Sequence, residues 1–70
     1  MKQVKAEMSG SIWKITTAVG EDVVIGQEIA ILESMKMEIP MESTENGKVH
    51  AIHKKEGDFV EEGDILIELE

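Results

Sequence analysis

The sequence predicts an all-β protein made of two similar half-units of about four strands each. Three observations predict this fold class: short runs of β-branched and apolar residues, glycines between those runs, and a repeat that relates the two halves of the chain. No window of the 70 residues offers a convincing amphipathic helix. We therefore expect one domain, without a linker, whose halves pack on each other about a pseudo-twofold axis.

Seven runs along the chain suit β-strands. Residues 2–8 alternate apolar and polar side chains, as half-buried strands do, and residues 11–17 are rich in β-branched and aromatic residues. Pro40 excludes a helix around it and favours an extended backbone at the preceding residue. The remaining runs are residues 23–25, 28–32, 37–41, 48–53 and 65–69.

Glycine-containing segments separate these runs. Asn46-Gly47 is the strongest short hairpin signal in the chain, so we expect a hairpin turn there. Further turns are expected at Ser9-Gly10, Gly20-Glu21-Asp22, Gly57-Asp58 and Gly63-Asp64.

The two halves of the chain superimpose without a gap. The first three glycines, Gly10, Gly20 and Gly26, each have a counterpart 37 residues later, at Gly47, Gly57 and Gly63. Apolar positions between the glycines also coincide, as Ile12 does with Val49 and Leu32 with Leu69. Neither half alone is large enough to bury its apolar face, so the repeat predicts one shared core. Regular glycine spacing in any short-stranded β protein is the alternative explanation.

Composition limits the classes of partner. Fifteen acidic residues against seven lysines give a formal net charge of −8. Nucleic acids and anionic membranes both require a basic surface, so neither is expected as a partner. The chain has no cysteine, no apolar run approaching the ~20 residues of a membrane span, and no signal-peptide pattern at its N-terminus. We expect a cytoplasmic protein that is a monomer on its own.

One lysine stands out in the segment Glu33-Ser34-Met35-Lys36-Met37-Glu38. The first half-unit ends near Glu33, so Lys36 lies in the connection to the next strand, and we expect a tight, protruding turn that exposes its amine. The chain termini should lie at the symmetry-related end. We interpret Lys36 as a covalent attachment point. Met35 and Met37 are either an apolar collar recognised by partner enzymes or gap-filling core residues. Glu33 and Glu38 either orient the tip or are ordinary strand-end charges.

Residues 33–40 resemble the attachment motif of biotinyl domains, in which a lysine between two methionines carries biotin through an amide bond. Residues 6–15 and 56–66 resemble the segments on either side of that motif, so the likeness covers nearly the whole chain. The chain is similar to the small biotin/lipoyl attachment proteins and to biotin carboxyl carrier proteins of acyl-CoA carboxylases. Glu7 stands where the family often has proline, Ser34 where it often has alanine, and residues 16–20 leave no room for the protruding thumb of some acetyl-CoA carboxylase carriers.

The resemblance implies a flattened β-barrel of two four-stranded antiparallel sheets, a barrel-sandwich hybrid, with residues 1–70 as one biotinyl/lipoyl attachment domain. It implies that a biotin protein ligase attaches biotin to Lys36. The domain then shuttles carboxybiotin between biotin carboxylase and carboxyltransferase, in the manner of acetyl-CoA carboxylase in fatty acid biosynthesis. A free lysine amine is almost wholly protonated at pH 7, so the ligase would have to supply the deprotonating environment.

Two alternatives to the biotin carrier stay open. Lipoyl domains resemble this fold, but their lysine typically follows aspartate, and Met35 occupies that place here. The other alternative is an unmodified structural or interaction module with the same fold.

Other candidate residues favour no further chemistry. His50 and His53 are three apart on a strand and so point to opposite faces, which does not suit a shared metal. Trp13 is expected to be packed or half-buried. The sequence shows no Ser-His-Asp constellation, nucleotide-binding loop or cysteine nucleophile, so independent catalysis is not expected.

Overall fold

The computed structural model describes all 70 residues, which form eight β-strands and no helix. The strands are β1 (Lys2–Lys5), β2 (Gly10–Ile15), β3 (Asp22–Val23), β4 (Glu28–Ser34), β5 (Met37–Glu42), β6 (Gly47–Ile52), β7 (Phe59–Val60) and β8 (Ile65–Leu69). They build two four-stranded sheets with the orders β1-β8-β6-β3 and β5-β4-β2-β7. All strand pairs are antiparallel. The predicted fold class is therefore confirmed. The structure contains no helix that could cross a membrane.

The sequence repeat is also the structural repeat. Each strand has a counterpart in the other half: β1 corresponds to β5, β2 to β6, β3 to β7 and β4 to β8. When each strand in the order β1-β8-β6-β3 is replaced by its counterpart, the result is β5-β4-β2-β7, which is the order of the second sheet. Hydrogen bonds repeat in the same way. The Gly20 N–H donates to the carbonyl of Val49 at 2.9 Å, and the Gly57 N–H donates to the carbonyl of Ile12 at 2.8 Å. The predicted pseudo-twofold axis is therefore present.

Gly10 and Gly47 allow the backbones of neighbouring strands to approach closely. A Cβ atom at Gly10 would lie 2.8 Å from the carbonyl oxygen of Glu33, and one at Gly47 would lie 2.6 Å from the carbonyl oxygen of Glu70. Both distances are shorter than side chains tolerate, so the start of β2 and the start of β6 require glycine. Because Glu33 lies near the end of β4, Gly10 sets the short distance between the backbone of β2 and that end of β4.

One hydrophobic core lies between the two sheets, and both halves contribute to it. The core contains thirteen buried residues, and Leu32 and Leu69 are its symmetry-related, fully buried leucines. The others are Val4, Ala6, Ile12, Val23, Ile29, Ala30, Met41, Val49, Val60, Leu66 and Ile67. Because both halves supply these side chains, the core is complete only when the two halves pack together.

The prediction of a hairpin at Asn46-Gly47 is wrong. Strands β5 and β6 belong to different sheets, and residues 43–46 cross from one sheet to the other. Asn46 serves this crossing, because its Oδ1 accepts a hydrogen bond from the Ile25 N–H at 2.8 Å. Residues 6–9 make the equivalent crossing in the other half, so β1 ends at Lys5 and not at residue 8.

Two further details differ from the sequence expectation. Strand β7 lies where only turns were expected, because two residues are too few to show a period. The repeat nevertheless pairs Val60 with Val23, and both are buried strand residues. Trp13 is 49% exposed and lies at a register shift between Ile12 and Lys14, outside the core.

The shared core generates a stability prediction. Leu32→Ala and Leu69→Ala should each lower the free energy of unfolding by about 2–5 kcal/mol, since each removes a fully buried side chain from an equivalent position. Urea denaturation followed by circular dichroism measures both. The exposed control Val19→Ala should change the value by less than about 0.5 kcal/mol. A large loss for one leucine and none for the other would contradict a core shared equally by the two halves.

Candidate functional site

Lys36 lies in the two-residue loop of the β4–β5 hairpin. Ser34 pairs with Met37 at the end of the ladder, so the loop consists of Met35 and Lys36 alone. Their φ angles are 52° and 65°, the left-handed conformation at both loop positions. This is the requirement of a type I′ turn, which matches the twist of the flanking strands and usually contains Asn-Gly. The tight turn expected around Lys36 is therefore present.

The conformation of this loop is costly for the residues it contains. A residue with a Cβ atom is disfavoured in the left-handed region by roughly 1–2 kcal/mol, and neither methionine nor lysine has a side chain that relieves the cost locally. They are the only residues other than glycine with a positive φ in the chain. Strain of this kind persists where surrounding structure enforces it, and it concentrates at functional sites.

The amine of Lys36 is free of protein partners. The side chain is exposed, and its nitrogen takes part in none of the salt bridges or side-chain hydrogen bonds of the molecule. Met35 is 92% exposed and Met37 is 63% exposed, which excludes the alternative that they fill gaps in the core. Two large apolar side chains thus flank a solvated primary amine at the tip of the hairpin.

Glu33 and Glu38 occupy the first outward-facing row behind the loop. They are directly opposed across the β4–β5 ladder, and both are exposed. Like charges in this arrangement repel each other, and neither carboxylate has a cation within 4 Å. The geometry therefore gives the tip a negative rim whose charges are not used for salt bridges within the chain.

The hairpin is anchored from below. Leu32 and Ile39 are cross-strand partners that face the core, and Met41 is buried further along β5. The terminal pair Lys2 and Leu69 is the symmetry counterpart of the Ile39 and Leu32 pair. The chain termini therefore lie at the symmetry-related end, as the sequence predicts.

The histidines do not form a shared site. His53 Nε2 lies 2.5 Å from Glu68 Oε1, and His50 Nδ1 lies 3.8 Å from Glu70 Oε2. Each histidine thus has its own carboxylate, Glu68 on β8 and Glu70 directly after it. No group of three His, Cys, Asp or Glu side chains is placed to hold a metal ion.

The cavities of the molecule do not reach the hairpin tip. One is a narrow apolar cleft between the sheets, and the other is an open polar groove. Their linings include Ile15, Ile52 and Lys54 for the cleft and Lys5, Thr44 and Glu62 for the groove. The Lys36 turn therefore lies outside both cavities.

Comparison with known proteins places these features in a family. Residues 2–69 match the Biotin_lipoyl family model, described as "Biotin-requiring enzyme". The chain belongs to the biotin/lipoyl family. This family is one of attachment domains, and an exposed lysine amine at a hairpin tip is a chemically suitable group for amide attachment.

Members of the biotin/lipoyl family that are similar to this chain occur alone and within large proteins. The chain is 53% identical over 66 residues to a biotin/lipoyl attachment protein of Bacillus subtilis and covers 90% of it. It is 39% identical over 67 residues to the mitochondrial propionyl-CoA carboxylase alpha chain of Homo sapiens but spans 9% of that protein. The crystal structure of Kluyveromyces lactis urea carboxylase matches with a TM-score of 0.85 and 39% identity, over 94% of this chain and 6% of that one.

Other relatives include a pyruvate carboxylase of Staphylococcus aureus, at 36% identity over 67 residues. The biotin carrier regions of several carboxylases thus share this fold. None of these relatives is an acetyl-CoA carboxylase, so the expected link to fatty acid biosynthesis stays a prediction.

The strained turn generates a second stability prediction. Met35→Asn should raise the free energy of unfolding by about 0.5–1 kcal/mol, because asparagine adopts the left-handed conformation at lower cost. The matched control is Met37→Asn, which changes the neighbouring exposed methionine at a strand position where asparagine is disfavoured. It should leave stability unchanged or lower it. Urea denaturation measures both variants, and a gain for the control equal to that for Met35→Asn would exclude turn strain as the cause.

Proposed function

We propose that Lys36 is the site of covalent biotin attachment and that the chain is a biotin carboxyl carrier. The observation that supports this proposal is the exposed, unpaired amine on a strained turn, held by a hairpin anchored in the core. In this proposal the chain is a substrate of a biotin protein ligase and a carrier for its partner enzymes. It does not itself catalyse a reaction.

The attachment step is an acyl transfer to the Lys36 amine. The neutral Nζ attacks the acyl carbon of biotinyl-adenylate held by the ligase, and a C–N amide bond forms. The bond from that carbon to the phosphate oxygen breaks, and AMP leaves with the electron pair. The proton of the attacking amine passes to a base. Because no carboxylate lies within 4 Å of Lys36 Nζ, we assign that base to the ligase.

Attachment changes the local charge. The amide removes the positive charge of Lys36, and the formal net charge of the chain goes from −8 to −9, since one of its seven cationic side chains is lost. The tip then carries the carboxylates of Glu33 and Glu38 without the one cation of the loop. We propose that Met35 and Met37 provide the apolar contact by which the ligase recognises the tip, while these carboxylates orient it.

The carrier role follows from a rigid base and a flexible arm. The β4–β5 ladder fixes the position of the turn, whereas the lysine stem has four rotatable methylenes. Bound biotin supplies an acceptor for a carboxyl group, received at a biotin carboxylase and given up at a carboxyltransferase. Tethering on a small domain raises the effective concentration at each active site without tight binding. The names of the relatives make propionyl-CoA, pyruvate and urea carboxylation candidate reactions, and acetyl-CoA carboxylation is a further candidate.

Mutation of the lysine tests the proposal. The wild-type chain, incubated with a biotin protein ligase, biotin and ATP, should gain the mass of biotin less one water in intact-mass spectrometry. Lys36→Arg should show no gain, because the guanidinium keeps the charge but does not act as the nucleophile. The matched control Lys55→Arg changes an exposed lysine in another connection and should be modified as fully as the wild type.

The same measurement on protein isolated from its own cells separates the alternatives. A gain equal to lipoic acid less one water would replace biotin with lipoate, an alternative motivated by the name of the Bacillus subtilis relative. Full modification of the Lys36→Arg variant would place the attachment elsewhere. An unmodified chain in cells that contain active biotin-dependent carboxylases would favour the structural module.

A further inference from the structure

The outer faces of the two sheets differ in polarity although their backbones are related by symmetry. On the sheet that carries the hairpin, four outward-facing residues are apolar. This apolar band comprises Trp13, Ile31, Pro40 and Phe59, and the corresponding residues of the other sheet are His50, Glu68, Gln3 and Asp22. Within the band Trp13 is 49% exposed and Phe59 is 62% exposed.

The apolar band crosses all four strands of its sheet. Ile31 on β4 pairs with Pro40 on β5, and on its other side it pairs with Lys14 on β2. Trp13 precedes Lys14 at the register shift of β2, and Phe59 on β7 pairs with Ser11, further along β2. The four residues therefore lie along one diagonal of the sheet, with Lys14 beside Ile31 and its Nζ 5.9 Å from the centre of the Trp13 ring.

The fold does not require the apolar band. At each equivalent position of the other sheet the same local backbone carries a polar or charged side chain, so apolar residues are not needed to form these strands. The chain contains one tryptophan, one phenylalanine and no tyrosine, and both aromatic residues belong to the band. Exposed apolar patches mark interaction sites, and buried aromatic anchors contribute strongly to binding energy in protein interfaces.

The surroundings of the band indicate what kind of partner it fits. Glu33 lies two residues after Ile31 on β4, and Glu38 lies two residues before Pro40 on β5. Both carboxylates therefore lie on the same outer face as the band. This places a row of carboxylates between the band and the Lys36 turn. A second copy of the chain would bring another net charge of −8 to the contact, which opposes association. The face suits a protein with an apolar centre and lysine or arginine at its rim.

We propose that the apolar band is the docking surface for the ligase that acylates Lys36. This inference rests on the proposed function. Before modification the reactive amine is at the end of a bare lysine side chain, so the ligase must approach the body of the domain to reach it. The sheet that carries the hairpin is the body surface behind the turn. Docking there would bring Trp13 and Phe59 into an apolar contact while the rim of the ligase neutralises Glu33 and Glu38.

Ligase kinetics test this docking surface. The test variant is Trp13→His/Ile31→Thr/Phe59→Thr, which makes the band polar without changing the formal net charge. The matched control, Gln3→Thr/His50→Ser, changes two equivalent positions on the outer face of the other sheet, which are polar before and after substitution. Initial rates are measured with biotin, ATP and a purified biotin protein ligase that modifies the wild-type chain. For the test variant we expect KM for the chain to rise about tenfold while kcat stays within about twofold, since only encounter and binding are weakened.

Several results would overturn the docking inference. One is a KM for the test variant that stays within twofold of the wild-type value. Another is a rise in KM for the control variant equal to that for the test variant. Thermal denaturation establishes that each variant is folded. If the triple variant does not fold, the single variant Phe59→Thr carries the test, with an expected rise in KM of about threefold. A wild-type dimer in sedimentation velocity that the test variant abolishes would assign the band to a second copy instead.

If the proposed function is wrong, the result differs from the result expected when only the docking surface is wrong. In that case the wild-type chain would show no acylation at Lys36 in intact-mass spectrometry, whatever the state of the band. Complete acylation of the wild type together with unchanged kinetics of the test variant would leave the function in place and remove the docking surface alone.

Discussion

Burial of one core between two half-units is the constraint on which the rest of the structure depends. Each sheet takes strands from both halves, and the fully buried Leu32 and Leu69 are equivalent residues in it. Within each half only two strands pair with each other, β2 with β4 and β6 with β8, and the other strands pair only with strands of the opposite half. The halves therefore fold together or not at all. The close approaches at Gly10 and Gly47 belong to this constraint, because they let the start of β2 lie against the end of β4 and the start of β6 against the end of β8.

The strain in the hairpin turn is a consequence of that core. Leu32 and Ile39 face inward as a pair, which fixes the register of β4 against β5 and leaves two residues for the loop. A two-residue loop that follows the twist of the strands needs positive φ at both positions, whatever residues occupy it. Met35 and Lys36 therefore adopt a conformation that they would not choose alone. The packing energy of the core enforces it, and the lysine amine is held outward as a result.

The sequence predicted the repeat, the location of the lysine turn and the exposed amine, because these follow from glycine spacing and apolar pairs such as Leu32 and Leu69. It did not predict the path at Asn46-Gly47. There a local hairpin preference is overridden by the need for the chain to change sheets, and Asn46 caps a neighbouring turn instead. The left-handed Met35-Lys36 loop also has no local signal, since it contains neither asparagine nor glycine. Its conformation is set by strand pairing, which a single sequence does not display.

The symmetry of the backbone separates what the fold needs from what it leaves free. Inward-facing positions stay apolar in both halves, as at Val23 and Val60, because both sheets must contribute to one core. Outward-facing positions are under no such requirement, and there the halves diverge, with Phe59 at the position equivalent to Asp22. The repeat therefore acts as an internal comparison within one molecule. A side chain that differs between equivalent exposed sites is therefore not dictated by the fold.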